Sequence, residues 1–217
     1  MDPVHLYDTC YILSREYDTV KPRDGVHFDV QGLRRFTRHL DQTYRRIRDM
    51  DVHFTEGVLD ELVHFSSRFG QWQEKVRGRS RKKARRLLQN AGSLLGQVVA
   101  EGYMAVPAER GAYESLERMV RAEGLARGAK RRFGEAYDNG NTTDEELVAT
   151  GLSVIRETGV PVTIHTEDGD IARLAKCAVS YLVKSRDSLA SLLSHRPLRV
   201  HFRAKTGETY QAFSSKK

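Results

Sequence analysis

GVPVTIHTEDGD, Gly159 to Asp170, is the stretch on which the fold turns. Val160, Val162 and Ile164 alternate with other residues at period two, the mark of a strand, and Gly159 ahead of them stops a helix. The strand runs into His165-Thr166-Glu167-Asp168-Gly169-Asp170, a polar turn, after which Ile171, Leu174, Ala178 and Leu182 recur at helical spacing. Strand, polar turn, helix is one repeat of an α/β architecture.

Upstream, Thr143 stands where a helix N-cap belongs, Asp144 opens the first turn, and Leu147, Val148, Leu152 and Ile155 form one apolar stripe. At the other end of the chain VHLYDTCYIL, Val4 to Leu13, reads as a strand because apolar and aromatic residues dominate it. Lys21-Pro22-Arg23-Asp24-Gly25 follows as a loop. From Leu33, the residues Phe36, Leu40, Tyr44 and Ile47 predict a helix whose other side carries Arg34, Arg35, Arg38, Arg45, Arg46 and Arg48.

Asp51 to Phe54 predicts a short strand. Thr55 then caps a helix with Glu56 in its first turn and Val58, Leu59, Leu62 and Phe65 on its buried face. Glu61, about 100° round the axis from Leu62, stands at the margin of that core. The stretch from about 70 to 132 reads as a basic helical insertion, closed by Asp138-Asn139-Gly140-Asn141. Near the end Leu198, Val200 and Phe202 alternate with Arg199, His201 and Arg203. A turn at Lys205-Thr206-Gly207-Glu208 then leads to Tyr210 and Phe213, a strand or hairpin over about 197–213. Strands separated by helical segments point to a central, mostly parallel sheet with helices on both faces, in a single domain over 1–217.

Lys and Arg number 36 against 29 Asp and Glu, a net charge of +7 that favours polyanions, with nucleic acid first among partners. Two cysteines, Cys10 and Cys177, are too few for a disulfide framework, so both are read as reduced and the compartment as cytoplasmic. No apolar run approaches the roughly 18 residues of a membrane span. The run Lys75, Arg77, Arg79, Arg81, Lys82, Lys83, Arg85 and Arg86 holds no acid, so self-repulsion favours contact with an RNA backbone over a merely solvated face. Phe69 and Trp72 beside it are expected in the core rather than stacked on bases.

Acids gather where strand ends meet helix starts. Asp8, Asp144 and Asp168 have that address, and Glu61 lies on the helix after a strand. Carboxylates drawn together repel unless a cation lies between them, and a set of oxygens suits Mg²⁺ or Mn²⁺ rather than zinc. Such ions orient water and stabilise charge on a phosphodiester, which fits hydrolysis of a nucleic-acid backbone.

The chain resembles the PIN-domain nucleases. The likeness rests on LYDTC around Asp8, FTEGVLDEL ending at Glu61 and Leu62, TTDEELVATGL with Asp144, and IHTEDGD with Thr166 and Asp168. It covers the chain to about Phe65 and then Asp144 to about Phe202. The resemblance implies a three-layer α/β/α fold, divalent-metal-dependent ribonuclease activity, and a supporting hydroxyl, here Thr166. It also implies pairing with a second copy or with an antitoxin-like protein inhibitor. Cys10 stands where the family often has Asn or Ser. Asp168 and Asp170 both compete as metal ligand; Asp168 is preferred because it comes two after Thr166, with Asp170 as a helix cap or fifth acid.

The expected activity is therefore an endoribonuclease of RNA processing, on transfer or ribosomal precursors, or of RNA decay. The alternatives are a toxin of the toxin–antitoxin type, generally a shorter chain, and a non-catalytic RNA-binding module. His5, His39, His53, His64, His165, His195 and His201 are scattered and read as structural or surface residues, His165 having a weaker option of touching phosphate. Cys10 reads as a small core residue.

Overall fold

A computed structural model describes residues 2–22, 24–50, 52–104, 110–126, 143–204 and 207–214. The strands are β1 (Val4–Tyr7), β2 (Val52–Phe54), β3 (Tyr103–Met104), β4 (Val162–Thr166), β5 (Leu198–Ala204) and β6 (Gly207–Phe213). The helices are α1 (Thr9–Leu13), α2 (Glu16–Val20), α3 (Val30–Arg48), α4 (Glu56–Lys75), α5 (Arg81–Glu101), α6 (Arg110–Ala126), α7 (Thr143–Thr158), α8 (Gly169–Ser185) and α9 (Ser188–Leu193). The fold is α/β, around a mostly parallel mixed sheet in the order β3-β2-β1-β4-β5-β6. β1 and β4 pair in parallel, as do β4 and β5, while β5 and β6 form the antiparallel hairpin expected at the end. No helix among the described residues is long and apolar enough to cross a membrane.

The chain divides into two compact units. One comprises Met1–Asp8, His53–Gly57 and Met104–Lys217. Here α7 lies on the sheet, and every residue from Leu147 to Ser153 is buried. The close approach is made at Gly151, where a Cβ would meet Leu198 at 2.9 Å and Val162 at 3.4 Å. Flanked on the sheet side by Leu6, Val162, Ile164, Leu198 and Val200, and on the outside by α6, α8 and α9, α7 is a core helix. All five residues of β4 are buried, as a central parallel strand requires. Gly159 stops α7 at φ +66°, a conformation open to glycine, as its place in the sequence predicts.

The other unit, Thr9–Val52 with Val58–Tyr103, is helical. The stripe Leu33, Phe36, Leu40 and Ile47 of α3 is buried, and Ala84, Leu88, Ala91, Leu95 and Val98 of α5 form the corresponding face of its neighbour. Asp29 caps α3, its carboxylate accepting from the Gln31 N–H at 2.9 Å. Tyr17, Phe36, Phe69 and Trp72 make an aromatic cluster, with Tyr17 stacked on Trp72 and Phe69 fully buried. Of the two aromatics beside the basic run, Phe69 is core as expected, while Trp72 is half-buried at the margin of the cluster.

The predicted strand Val4–Leu13 is half strand and half helix: β1 ends at Tyr7 and α1 takes Thr9 to Leu13. Tyr11, Ile12 and Leu13 are all buried, and a short apolar run buried on every side carries no period to separate the two conformations. Between 70 and 126 the described residues are mostly helical, with a turn at 76–80 between α4 and α5 and with β3, which supplies a strand of the sheet. The remainder of the expected insertion, including Asp138 to Asn141, and the Lys205-Thr206 turn lie outside the described residues.

Candidate functional site at the strand switch point

From β1 the chain moves outward through β2 to β3, then returns to place β4 on the opposite side of β1. The connections leaving β1 and β4 thus part in opposite directions. The crevice beyond their carboxyl ends is where open α/β sheets bind ligands. Asp8 is the first residue after β1, and Thr166 is the last of β4. Because Tyr7 pairs with His165, the next step of the register sets these two side by side.

They are joined directly. The Asp8 N–H donates to the His165 carbonyl at 3.0 Å, and the Thr166 hydroxyl donates to Asp8 Oδ2 at 2.7 Å. Asp8 is 5% exposed and Thr166 fully buried, so the carboxylate is held away from water by a donor on the neighbouring strand. The same Thr166 Oγ1 accepts the Asp168 N–H at 2.8 Å, which ties the turn to the strand end. A hydroxyl can donate and accept at once, and both capacities are used.

Asp168 is the N-cap of α8, its Oδ1 accepting from the Asp170 N–H at 2.8 Å. Its Oδ2 makes no hydrogen bond among the described residues. The expectation that Asp170 caps this helix is corrected: Asp170 lies one residue inside it, buried, with its Oδ1 accepting from Arg173 Nη1 at 2.8 Å. Extended backbone at 168 (ψ 120°) is what makes Asp168 the cap. Beside it, Glu167 accepts from Arg203 of β5 at 2.6 Å, a largely buried ion pair.

The start of α7 is held at the same edge of the sheet. Glu146 Oε2 accepts the Gly57 N–H at 3.0 Å, just beyond the end of β2, and Thr55 and Glu56 donate to the same carboxylate. Burial pushes the Glu146 carboxyl above the usual glutamate range, opposed by those donors. Glu117 of α6 is raised as well, by burial and then by the charge of Glu145. Glu145 is completely buried. Neither Glu145 nor Glu146 stood out in the sequence. The signal available was only that three successive acids open the helix, so that they cannot all face water.

Asp144, two residues before Glu146, is half-buried at this edge. Glu61 is half-buried on α4 beside the fully buried Leu62, at the core margin its spacing predicts, and belongs to the helical unit. Among the described residues, no three His, Cys, Asp or Glu side chains stand close enough to enclose a metal ion by themselves.

Across the sheet face turned away from α7 runs a row of imidazoles. His5 Nδ1 meets His165 Nε2 at 2.8 Å, His165 Nδ1 meets His201 Nδ1 at 2.8 Å, and His201 Nε2 lies 3.3 Å from Glu208. Tyr7 stacks on His165 and Tyr210 on His201. These histidines look scattered in the sequence because only the register of three strands brings them together. In the basic run, Lys75, Arg77, Arg79, Arg81, Lys82, Lys83 and Arg86 are exposed, while Arg85 is half-buried with its Nε donating to the Gln73 carbonyl at 2.8 Å. Compared with known proteins, the chain matches no family model, no curated protein and no solved structure.

Proposed function

We propose that the chain is a PIN-like, divalent-metal-dependent endoribonuclease with a three-layer α/β/α core, acting in RNA processing or decay. The observation that carries this reading is the pairing of Asp8 with Thr166, 2.7 Å apart, at the crevice between the first and fourth strands. Asp8 and Asp168 would hold Mg²⁺ or Mn²⁺, joined by Asp144 from the start of α7. Glu61 enters from the sequence resemblance alone.

The donor chemistry fits such an ion, since Asp8, Asp144, Asp168 and Thr166 all offer oxygen. When bound, a hard dication supplies an activated water and charge stabilisation for phosphodiester hydrolysis. Thr166 fixes the orientation of the Asp8 carboxylate and braces the turn that carries Asp168. Asp170 is already engaged by Arg173, so Asp168, with its unused Oδ2, is the better ligand of the two. The exposed run from Lys75 to Arg86 supports an RNA substrate, because each phosphate it neutralises releases counterions.

A second reading, a non-catalytic RNA-binding module, is favoured by the structural duties of the same acids: Asp8 joins two strands and Asp168 caps a helix. Cleavage of an end-labelled structured RNA with Mn²⁺ separates the two. The nuclease reading expects cutting that stops with EDTA and falls at least about a thousandfold in Asp8→Asn, roughly the loss of about 4 kcal/mol of transition-state stabilisation. Binding without any cutting by the unaltered protein supports the module.

A further inference from the structure

In the helical unit, α3 and α5 lie side by side and leave a groove of about 620 Å³ between them. Arg34, Thr37, Arg38 and Asp41 line one wall, and Leu87, Asn90, Ser93 and Leu94 the other. Along α3 the residues Arg34, Arg38, Asp41, Arg45 and Arg48 follow at intervals of four, three, four and three, so they share one face over about 21 Å. Asp41, the one acid of α3, is paired with Arg45 at 3.1 Å. Arg34 and Arg38 are exposed and have no ion-pair partner among the described residues.

The charge is concentrated to an unusual degree. α3 carries six arginines against Asp41, and α5 carries five basic residues against Glu101. These two adjacent helices therefore exceed the +7 of the entire chain, and all the rest of it is net acidic. A basic surface so segregated meets a polyanion, not a neutral partner.

We propose that this groove is a docking surface for a single strand of RNA. Phosphates lie against Arg34 and Arg38, while riboses and bases rest on Leu87 and Leu94 with Asn90 and Ser93 offering hydrogen bonds. A groove of about 620 Å³ has room for a short stretch of one strand and not for both strands of a duplex. The guanidinium fork suits phosphate oxygens in pairs. An acidic amphipathic peptide is the poorer fit. It would need a continuous apolar floor, and here Asn90 and Ser93 interrupt the two leucines while the arginine wall runs on past the groove. The choice of RNA rests on the function proposed above; the groove itself does not.

The test is fluorescence anisotropy of a labelled 12-nucleotide oligouridylate with the full chain in EDTA, where binding is read without cleavage. Arg34→Ala with Arg38→Ala is expected to weaken binding by about tenfold or more. It should also flatten the plot of log affinity against log salt by about 1.4, at 0.7 per lost phosphate contact. Ser93→Trp, which fills the groove without changing charge, is expected to weaken binding as well. Lys176→Ala with Lys184→Ala, the same charge loss on exposed positions of α8, should leave binding within about twofold. Equal losses in the two double variants, or an unaffected Ser93→Trp, overturn the groove and leave only a diffuse field. Preference for an acidic helical peptide over the oligonucleotide overturns the assigned partner. Absence of cutting with groove-dependent binding intact would sink the nuclease reading alone.

Discussion

At the scale of single residues, one hydroxyl connects two strands and a turn. Thr166 donates to Asp8 and accepts from the Asp168 amide, so its loss leaves a buried carboxylate short of a donor and a turn amide short of an acceptor. Thr166→Val is expected to destabilise the fold by about 1–3 kcal/mol in chemical denaturation, because the shape survives and the hydrogen bonds do not. Thr166→Ser should recover most of that loss; equal destabilisation by both would mean that the methyl group, not the hydroxyl, matters. The pairing was legible in part. HTED ends a predicted strand in a hydroxyl and an acid, whereas LYDT lies inside the strand predicted over Val4–Leu13, and which oxygen meets which partner follows from register. That Asp168 and not Asp170 is the cap was hidden for the same reason: a cap is defined by backbone conformation, and two acids two residues apart look alike in a string.

At the scale of elements, the anchor is the grip of α7 on the turn after β2 through Glu146. Its pH dependence has a definite sign. The folded carboxyl is raised above the usual glutamate range, chiefly by burial, so between the two values the folded chain holds a proton that the unfolded chain has released. Stability then declines as pH rises through that window and levels off above it. Glu146→Gln should show a smaller decline than the unaltered chain, and Glu117, shifted the same way, adds to the slope that remains. Identical slopes in denaturant titrations across pH 4 to 8 would show that Glu146 takes no part. Elements with a long apolar period are legible in the sequence: α3, α7, α8 and the final hairpin fall where the spacing puts them. α2 and α9, of five and six residues, span too few turns to establish a period, and α1 hides inside an all-apolar run. The imidazole row from His5 to His201 crosses three strands, and no pattern within one strand announces it.

At the scale of the whole molecule, two opposite charge patterns coexist. The acids near the carboxyl ends of β1, β2 and β4 sit in one compact unit, and the excess of arginine sits on the helices of the other. Composition alone gives the +7, and only the helix assignments reveal that two elements hold all of it. The proposed nuclease activity requires the oxygens at the crevice between β1 and β4 to hold a hard dication. An anomalous difference map from crystals of the full chain soaked in Mn²⁺ tests it directly. The account predicts a peak within bonding distance of Asp8 and Asp168 that disappears in Asp8→Asn; no peak there, with Mn²⁺ bound elsewhere or nowhere, would contradict it.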